Sequence, residues 1–88
     1  MLLRNWTDIM PNVKVYGADW CPMTKRTLDF LDKNDVAYEY IDLESDPKAS
    51  EWVKGQNGGK ELKPTVDIDG EILAEPSNAE LEQALANR

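Results

Sequence analysis

The sequence predicts an α/β protein in which a small mixed β-sheet is flanked by helices, with elements in the order βαβαββα. An alternating apolar pattern over residues 13–16 is followed by Cys21 and Pro22, a pair typical of a helix start. Asp69 and Gly70 separate two short apolar runs, as in a β-hairpin. A capping-box spacing then precedes a last apolar helical stretch. Together these signals favour one compact domain.

The first half of the chain predicts a βαβ unit. Residues 13–16 alternate apolar and polar side chains and predict the first strand. Pro22 suits a first helical position, and apolar residues at helical spacing carry the helix to about Asn34. Residues 36–41 alternate again and predict a second strand. Because a helix connects the two strands, we expect them to be parallel.

The middle of the chain predicts a second helix. Asp46 suits the N-cap and Pro47 the first helical position. The expected buried stripe of this helix consists of Ala49, Trp52 and Val53. The glycine-rich residues 55–59 end it.

The last third predicts an antiparallel hairpin and a capped helix. Residues 65–68 and 72–73 flank the Asp-Gly pair, which suits a type I′ turn. Ser77 and Glu80 have capping-box spacing, so the last helix begins near Asn78.

Length and cysteine content limit the architecture. With 88 residues the chain can hold one domain, which we place at residues 12–88 after a short N-terminal extension, residues 1–11. With one Cys and no His, an internal disulfide is impossible and a metal site of the usual kind is not expected. Stability must therefore come from packing.

Charge and hydropathy limit the partners and the compartment. The chain has 17 acidic and 10 basic residues and a net charge of -7, which disfavours nucleic acid as a partner. The sequence contains neither a signal-peptide pattern nor a membrane span. A single cysteine is typical of proteins in a reducing compartment. We expect a cytoplasmic protein, soluble and monomeric.

Two stretches resemble a known family. Residues 20–24, Trp-Cys-Pro-Met-Thr, resemble the active-site loop of glutaredoxins. Residues 58–66, together with the Asp-Gly turn and Glu-Pro-Ser at 75–77, are similar to bacterial glutaredoxin-like proteins, the mycoredoxins included. The resemblance covers roughly residues 13–85, implies the thioredoxin fold, and makes residues 12–88 a glutaredoxin-like domain.

The resemblance also assigns positions, and the chain departs from some of them. Pro64 would be the cis-proline that faces Cys21. Thr24 stands where a second, resolving cysteine would lie, so an intramolecular active-site disulfide is excluded. Lys63 replaces the Val usual before that proline, and Ala18 replaces a Lys that binds glutathione in many glutaredoxins.

The position of Cys21 favours a reactive thiolate. A thiol at a helix N-terminus is near free N–H groups and the positive end of the helix dipole, which stabilise the anion. Lys25 and Arg26 add positive charge, and the Thr24 hydroxyl can donate a hydrogen bond to sulfur. Asp19 opposes these effects as a nearby negative charge.

Several residues are candidates for binding the substrate: Trp20, Pro22, Thr24, Lys63, Pro64, Ser77 and Asn78. The N–H groups at Ser77 and Asn78 are suited to a carboxylate such as the γ-glutamyl end of glutathione, or serve only to cap the helix. Lys63 or Lys60 would bind another carboxylate, or is simply solvated. Trp20 would form an apolar wall beside the thiol, or is a partly buried aromatic with a packing role.

These features lead to one functional hypothesis with two alternatives. The hypothesis is a monothiol glutaredoxin-like oxidoreductase, in which Cys21 reduces mixed disulfides between oxidised protein substrates and a low-molecular-weight thiol. Glutathione or another small thiol is the co-substrate, and no metal or organic cofactor is required. The alternatives are an iron–sulfur cluster carrier that uses Cys21 in a dimer, and a redox-inactive binding module.

Overall fold

The computed structural model describes residues 12–87 and contains the predicted order of elements. The predicted extension, residues 1–11, lies outside this range. The elements are β1 (Val13–Gly17), α1 (Pro22–Lys33), β2 (Glu39–Asp42), α2 (Pro47–Gln56), β3 (Thr65–Ile68), β4 (Glu71–Ala74) and α3 (Asn78–Ala86). Within residues 12–87, no helix has the length and hydropathy needed to cross a membrane.

The four strands form one mixed sheet in the order β2-β1-β3-β4. The central strand β1 pairs in parallel with β2, with Val15 opposite Tyr40, and antiparallel with β3, with Val15 opposite Val66. Strands β3 and β4 form the predicted antiparallel hairpin, with Asp67 opposite Ile72. The predicted α/β class and thioredoxin fold are thus confirmed.

The two faces of the sheet pack differently because successive side chains of a strand point in opposite directions. Val13 and Val15 are fully buried in a cluster that contains Leu31 of α1 and Leu81 of α3. On the other face, the ring of Tyr16 packs against Trp52 of α2, with ring centroids 4.8 Å apart.

One part of the predicted α2 stripe is wrong. Val53 is fully buried, but Ala49 and Trp52 are only partly covered, so Trp52 is not a core residue. Its ring packs against Tyr16 on one face of the central strand β1. Helical spacing identifies the side that faces the sheet, but it does not say how completely a small sheet can cover a large ring.

Strand β2 begins later than the predicted start at Val36. The N–H of Val36 donates to the Leu31 carbonyl at 2.9 Å, and the N–H of Asp35 to the Asp32 carbonyl at 3.2 Å. Asp35 has φ 55°, and this combination is a Schellman motif that ends α1. The N–H of Val36 is therefore used by the helix end, and pairing with β1 starts only at Glu39.

Side-chain caps fix the starts of α2 and α3. The Asp46 carboxylate accepts a hydrogen bond from the N–H of Ala49 at 3.0 Å. The Ser77 hydroxyl accepts from the N–H of Glu80 at 3.1 Å, and the Glu80 carboxylate accepts from the N–H of Ser77 at 2.8 Å. Both predicted helix starts are confirmed.

The hairpin turn should be sensitive to a side chain at Gly70. Asp69 and Gly70 have φ values of 51° and 94°, as a type I′ turn requires. Gly70→Ala puts a side chain on left-handed backbone and should lower the free energy of unfolding by about 1 kcal/mol. Chemical denaturation would measure the change, with Gly55→Ala on α2 as the control. A Gly70→Ala protein as stable as wild type would contradict this assignment.

Candidate active site

Cys21 is the N-cap residue of α1, between the end of β1 and Pro22 at the first helical position. Its backbone is extended, with φ -81° and ψ 119°, and its N–H donates to the Ala18 carbonyl at 3.1 Å. This turn directs the side chain of Cys21 to the positive end of the helix dipole. Only 8% of the residue is exposed. Cys21 is therefore largely buried, with a small part of its surface in contact with solvent.

The loop before β3 lies against the thiol from the other side. The Lys63–Pro64 peptide bond is cis, as the resemblance implies, and Pro64 is buried. The Lys63 carbonyl accepts a hydrogen bond from the Cys21 thiol, with an S···O distance of 3.9 Å. Two segments separated by about forty residues in sequence thus meet at the sulfur.

Thr24 lies beneath the thiol and is fully buried. Its Oγ1 accepts a hydrogen bond from the N–H of Ala18 at 3.4 Å, which leaves the hydroxyl proton free to be donated to Cys21. Gly17 provides the space for this side chain, since a Cβ at position 17 would lie 2.5 Å from Thr24 Oγ1. The hydroxyl is thus held in place by the end of β1.

The surroundings of Cys21 lower the pKa of its thiol. Burial alone would raise this pKa, but the N–H of Thr24, the Thr24 hydroxyl, the N–H of Met23 and the Lys63 ammonium together lower it below its ordinary value. In the neutral form the thiol donates to the Lys63 carbonyl, and in the ionised form sulfur becomes an acceptor. The site therefore favours the nucleophilic thiolate.

The basic residues of the site differ from those expected. Lys25 and Arg26 were expected to add positive charge, but Lys63 is the charged residue that lowers the Cys21 pKa. The Arg26 guanidinium instead donates to the Pro76 carbonyl at 3.3 Å and so links α1 to the segment before α3. The distant Lys63 comes close because its loop folds back onto the start of α1.

Lys63 is itself held by neighbouring side chains. Its ammonium lies 2.8 Å from the Glu61 carboxylate and 5.5 Å from the centroid of the Trp20 ring. The other oxygen of Glu61 accepts a hydrogen bond from the Ser50 hydroxyl on α2. The bonds from Lys63 and Ser50 hold the pKa of Glu61 below its ordinary value. We call these three residues, Ser50, Glu61 and Lys63, the ion-pair cluster.

Trp20 and the start of α3 complete the set of predicted site residues. Trp20 is next to Cys21 in sequence and 62% exposed, so its ring is available as a surface beside the thiol. Ser77 and Asn78 lie at the start of α3, where the hydroxyl and N–H of Ser77 are both used in the capping box. Within the described part of the chain, no hydrogen bond joins Ser77 or Asn78 to Cys21.

Sequence reasoning missed two contributors to this site. Neither Gly17 nor Ser50 was assigned a role. Opposite charges at Glu61 and Lys63 were a signal for an ion pair, since alternate residues of an extended loop point to the same side. Nothing in the sequence linked Ser50 to them.

A thioredoxin fold with a cysteine at the α1 N-cap, opposite a cis-proline, is the arrangement typical of thiol redox proteins. The glutaredoxin family model matches residues 13–73. The chain belongs to the glutaredoxin family, and it is of the thiol–disulfide oxidoreductase kind.

Individual relatives support this assignment. Mycoredoxin 1 of Corynebacterium glutamicum is 41% identical over 73 residues, which span 82% of this chain and 90% of the relative. The crystal structure of a glutaredoxin from Archaeoglobus fulgidus is 26% identical with a TM-score of 0.76, covering 94% of this chain and 96% of that one. A thioredoxin-like protein, BC3987, is 33% identical with a TM-score of 0.74, covering 82% and 97% of the two chains.

Proposed function

We propose that the protein reduces mixed disulfides by a monothiol reaction. The Cys21 thiolate attacks the small-thiol sulfur of a mixed disulfide between that thiol and a protein substrate. A new S–S bond forms between Cys21 and the small thiol, the original S–S bond breaks, and the protein substrate leaves as its reduced thiolate. A second small thiol, as its thiolate, then attacks this bond, which releases the reduced Cys21 and an oxidised small-molecule disulfide. The observation that supports this proposal is the placement of the chain's single cysteine at the N-cap of α1, against the loop that contains the cis Lys63–Pro64 bond, where its surroundings lower the thiol pKa.

The neighbours of Cys21 have distinct roles in this proposal. Thr24 and the α1 N-terminus stabilise the thiolate, both as attacking and as leaving group. Trp20, Pro22 and Pro64 form the apolar surroundings in which the substrate disulfide lies. Ser77 and Asn78 contact the more distant part of the small thiol. The positive charge of Lys63 stabilises the Cys21 thiolate.

The co-substrate is glutathione or another low-molecular-weight thiol. The likeness to mycoredoxin 1 supports mycothiol as the first alternative to glutathione. We further propose that residues 12–88 form the working domain, that it acts as a monomer on oxidised proteins, and that it does so in the cytoplasm. The single cysteine supports the reducing compartment.

The proposal predicts that Cys21 ionises more readily than a free cysteine. The pH dependence of alkylation should give a thiol pKa below the ordinary value, with Cys21→Ser as the unreactive blank. In a coupled assay, wild type should reduce a glutathionylated or mycothiol-linked peptide, and Cys21→Ser should not. A thiol pKa at or above the ordinary value, with no turnover of either peptide, would favour the redox-inactive binding module instead.

A further inference from the structure

The Lys63 ammonium, which acts on the Cys21 thiol, is already paired with a carboxylate of the protein itself. The Lys63 ammonium lies 2.8 Å from the Glu61 carboxylate, and the two side chains are only 17% and 24% exposed. The Ser50 hydroxyl holds the second oxygen of Glu61, so this carboxylate is fixed at both ends. Such an enclosed pair is screened less by water and salt than a surface pair. An incoming carboxylate would have to displace it.

We infer that Glu61 sets the charge preference of the Cys21 site, disfavouring disulfides that carry a carboxylate near the sulfur and favouring uncharged ones. The inference rests on the proposed function and deepens it. Lys63 then serves the thiolate rather than the substrate, whereas the sequence suggested that it binds a carboxylate of a thiol peptide. Glu61 is thus a specificity-determining residue.

At the start of α3, too, a carboxylate of the chain occupies a donor group that was expected to bind a carboxylate of the substrate. The N–H groups of this helix start were the other expected position for a substrate carboxylate. There the Glu80 carboxylate accepts the N–H of Ser77 at 2.8 Å. The net charge of -7 adds a general repulsion of anions. Of the groups expected to hold the carboxylates of a thiol peptide, the Lys63 ammonium and the N–H of Ser77 are therefore already in contact with a carboxylate of the chain.

The preference can be measured with two coloured disulfide reagents. The symmetrical disulfide of thionitrobenzoate carries a carboxylate on each ring, whereas dithiodipyridine is uncharged at neutral pH. In both reactions the Cys21 thiolate forms a mixed disulfide and one aromatic thiolate leaves, so the reagent supplies the oxidising equivalent. The measured quantity is the ratio of the two rate constants, anionic reagent over uncharged reagent.

Glu61→Gln should raise this ratio by about three- to tenfold, the effect of removing one charge at a distance of several ångströms near water. Any change in the pKa of Cys21 affects both reactions alike, and so cancels in the ratio. Glu82→Gln is the matched control, because it makes the same change in net charge at an exposed position on α3. Glu61→Thr provides a second variant without the carboxylate. The gain should shrink as salt is added.

The outcomes separate the two proposals. A larger ratio in Glu61→Gln and Glu61→Thr, but not in Glu82→Gln, supports the inference. An unchanged ratio in both Glu61 variants, or an equal rise in Glu82→Gln, overturns it and leaves the proposed function intact. A wild-type Cys21 that reacts with dithiodipyridine no faster than a free cysteine overturns the proposed function, and the inference with it.

Discussion

Gly17→Ala is expected to lower the free energy of unfolding by about 1–3 kcal/mol, the usual cost of overpacking a close-packed interior. The new Cβ would lie 2.5 Å from Thr24 Oγ1 and 2.7 Å from Thr24 Cγ2. Thr24 is fully buried, so it has no open space into which it can rotate. The variant should also displace the hydroxyl that faces Cys21 and so raise the pKa of the thiol.

The same substitution at Gly55 is the matched control for this prediction. A Cβ at Gly55 would meet no atom within 4 Å, and the residue lies in α2. Gly55→Ala should therefore stabilise the protein by about 0.4–1 kcal/mol, since alanine restricts the unfolded chain. Denaturant unfolding of both variants gives the comparison. If Gly17→Ala were as stable as Gly55→Ala, the close contact with Thr24 would be refuted.

Thr24→Val is expected to raise the pKa of Cys21 and to slow its alkylation at neutral pH by about tenfold. Valine fills nearly the same space but cannot donate the hydrogen bond, and bonds to charged groups contribute about 1.5–3 kcal/mol. Thr24→Ser keeps the hydroxyl and should retain most of the reactivity. The pH dependence of alkylation distinguishes the two variants. Equal thiol pKa values for Val and Ser at this position would count against the role of the hydroxyl.

The same prediction has a thermodynamic form. Because the Cys21 pKa is lower in the folded than in the unfolded state, the unfolded chain binds more protons between those two pKa values. The free energy of unfolding of the wild type should therefore rise with pH between these two pKa values. It should lose this increase as the pH falls through the Cys21 pKa of the folded state. Thr24→Val should narrow the interval between the two pKa values. Thr24→Val also removes the acceptor for the Ala18 N–H. This loss lowers the free energy of unfolding at every pH and does not affect how that free energy changes with pH.

Local chemistry explains why much of the fold could be predicted. The starts of α2 and α3 follow from Asp46 and Ser77, and the hairpin from the Asp-Gly pair, because each signal acts within three or four residues. The predicted start of β2 was wrong because Asp35 has a positive φ and the end of α1 extends to Val36. Aspartate does this less often than glycine, so the alternation at residues 36–41 suggested a longer strand.

The position of the reactive cysteine could be predicted from the sequence, but the charged residues that act on it could not. Cys21 at a helix start next to Pro22 follows from neighbouring residues. The role of Lys63 depends on contacts between segments far apart in sequence, as does that of Ser50. Such contacts depend on how the loop before β3 packs against α1 and α2, and residue types alone do not determine that packing. Lys25 and Arg26 were therefore favoured by sequence proximity alone.

Because position 24 carries the hydroxyl of Thr24 and not a second thiol, it also determines how an oxidised Cys21 can be returned to the free thiol. With no neighbouring thiol, any disulfide that Cys21 forms joins it to another molecule. Its removal is then bimolecular, with a half-life that depends on the concentration of free thiol around the protein. A dithiol site would release its partner in a unimolecular step that is independent of that concentration. The fraction of chains in which Cys21 carries an adduct would accordingly depend on the concentration of free thiol in the surroundings.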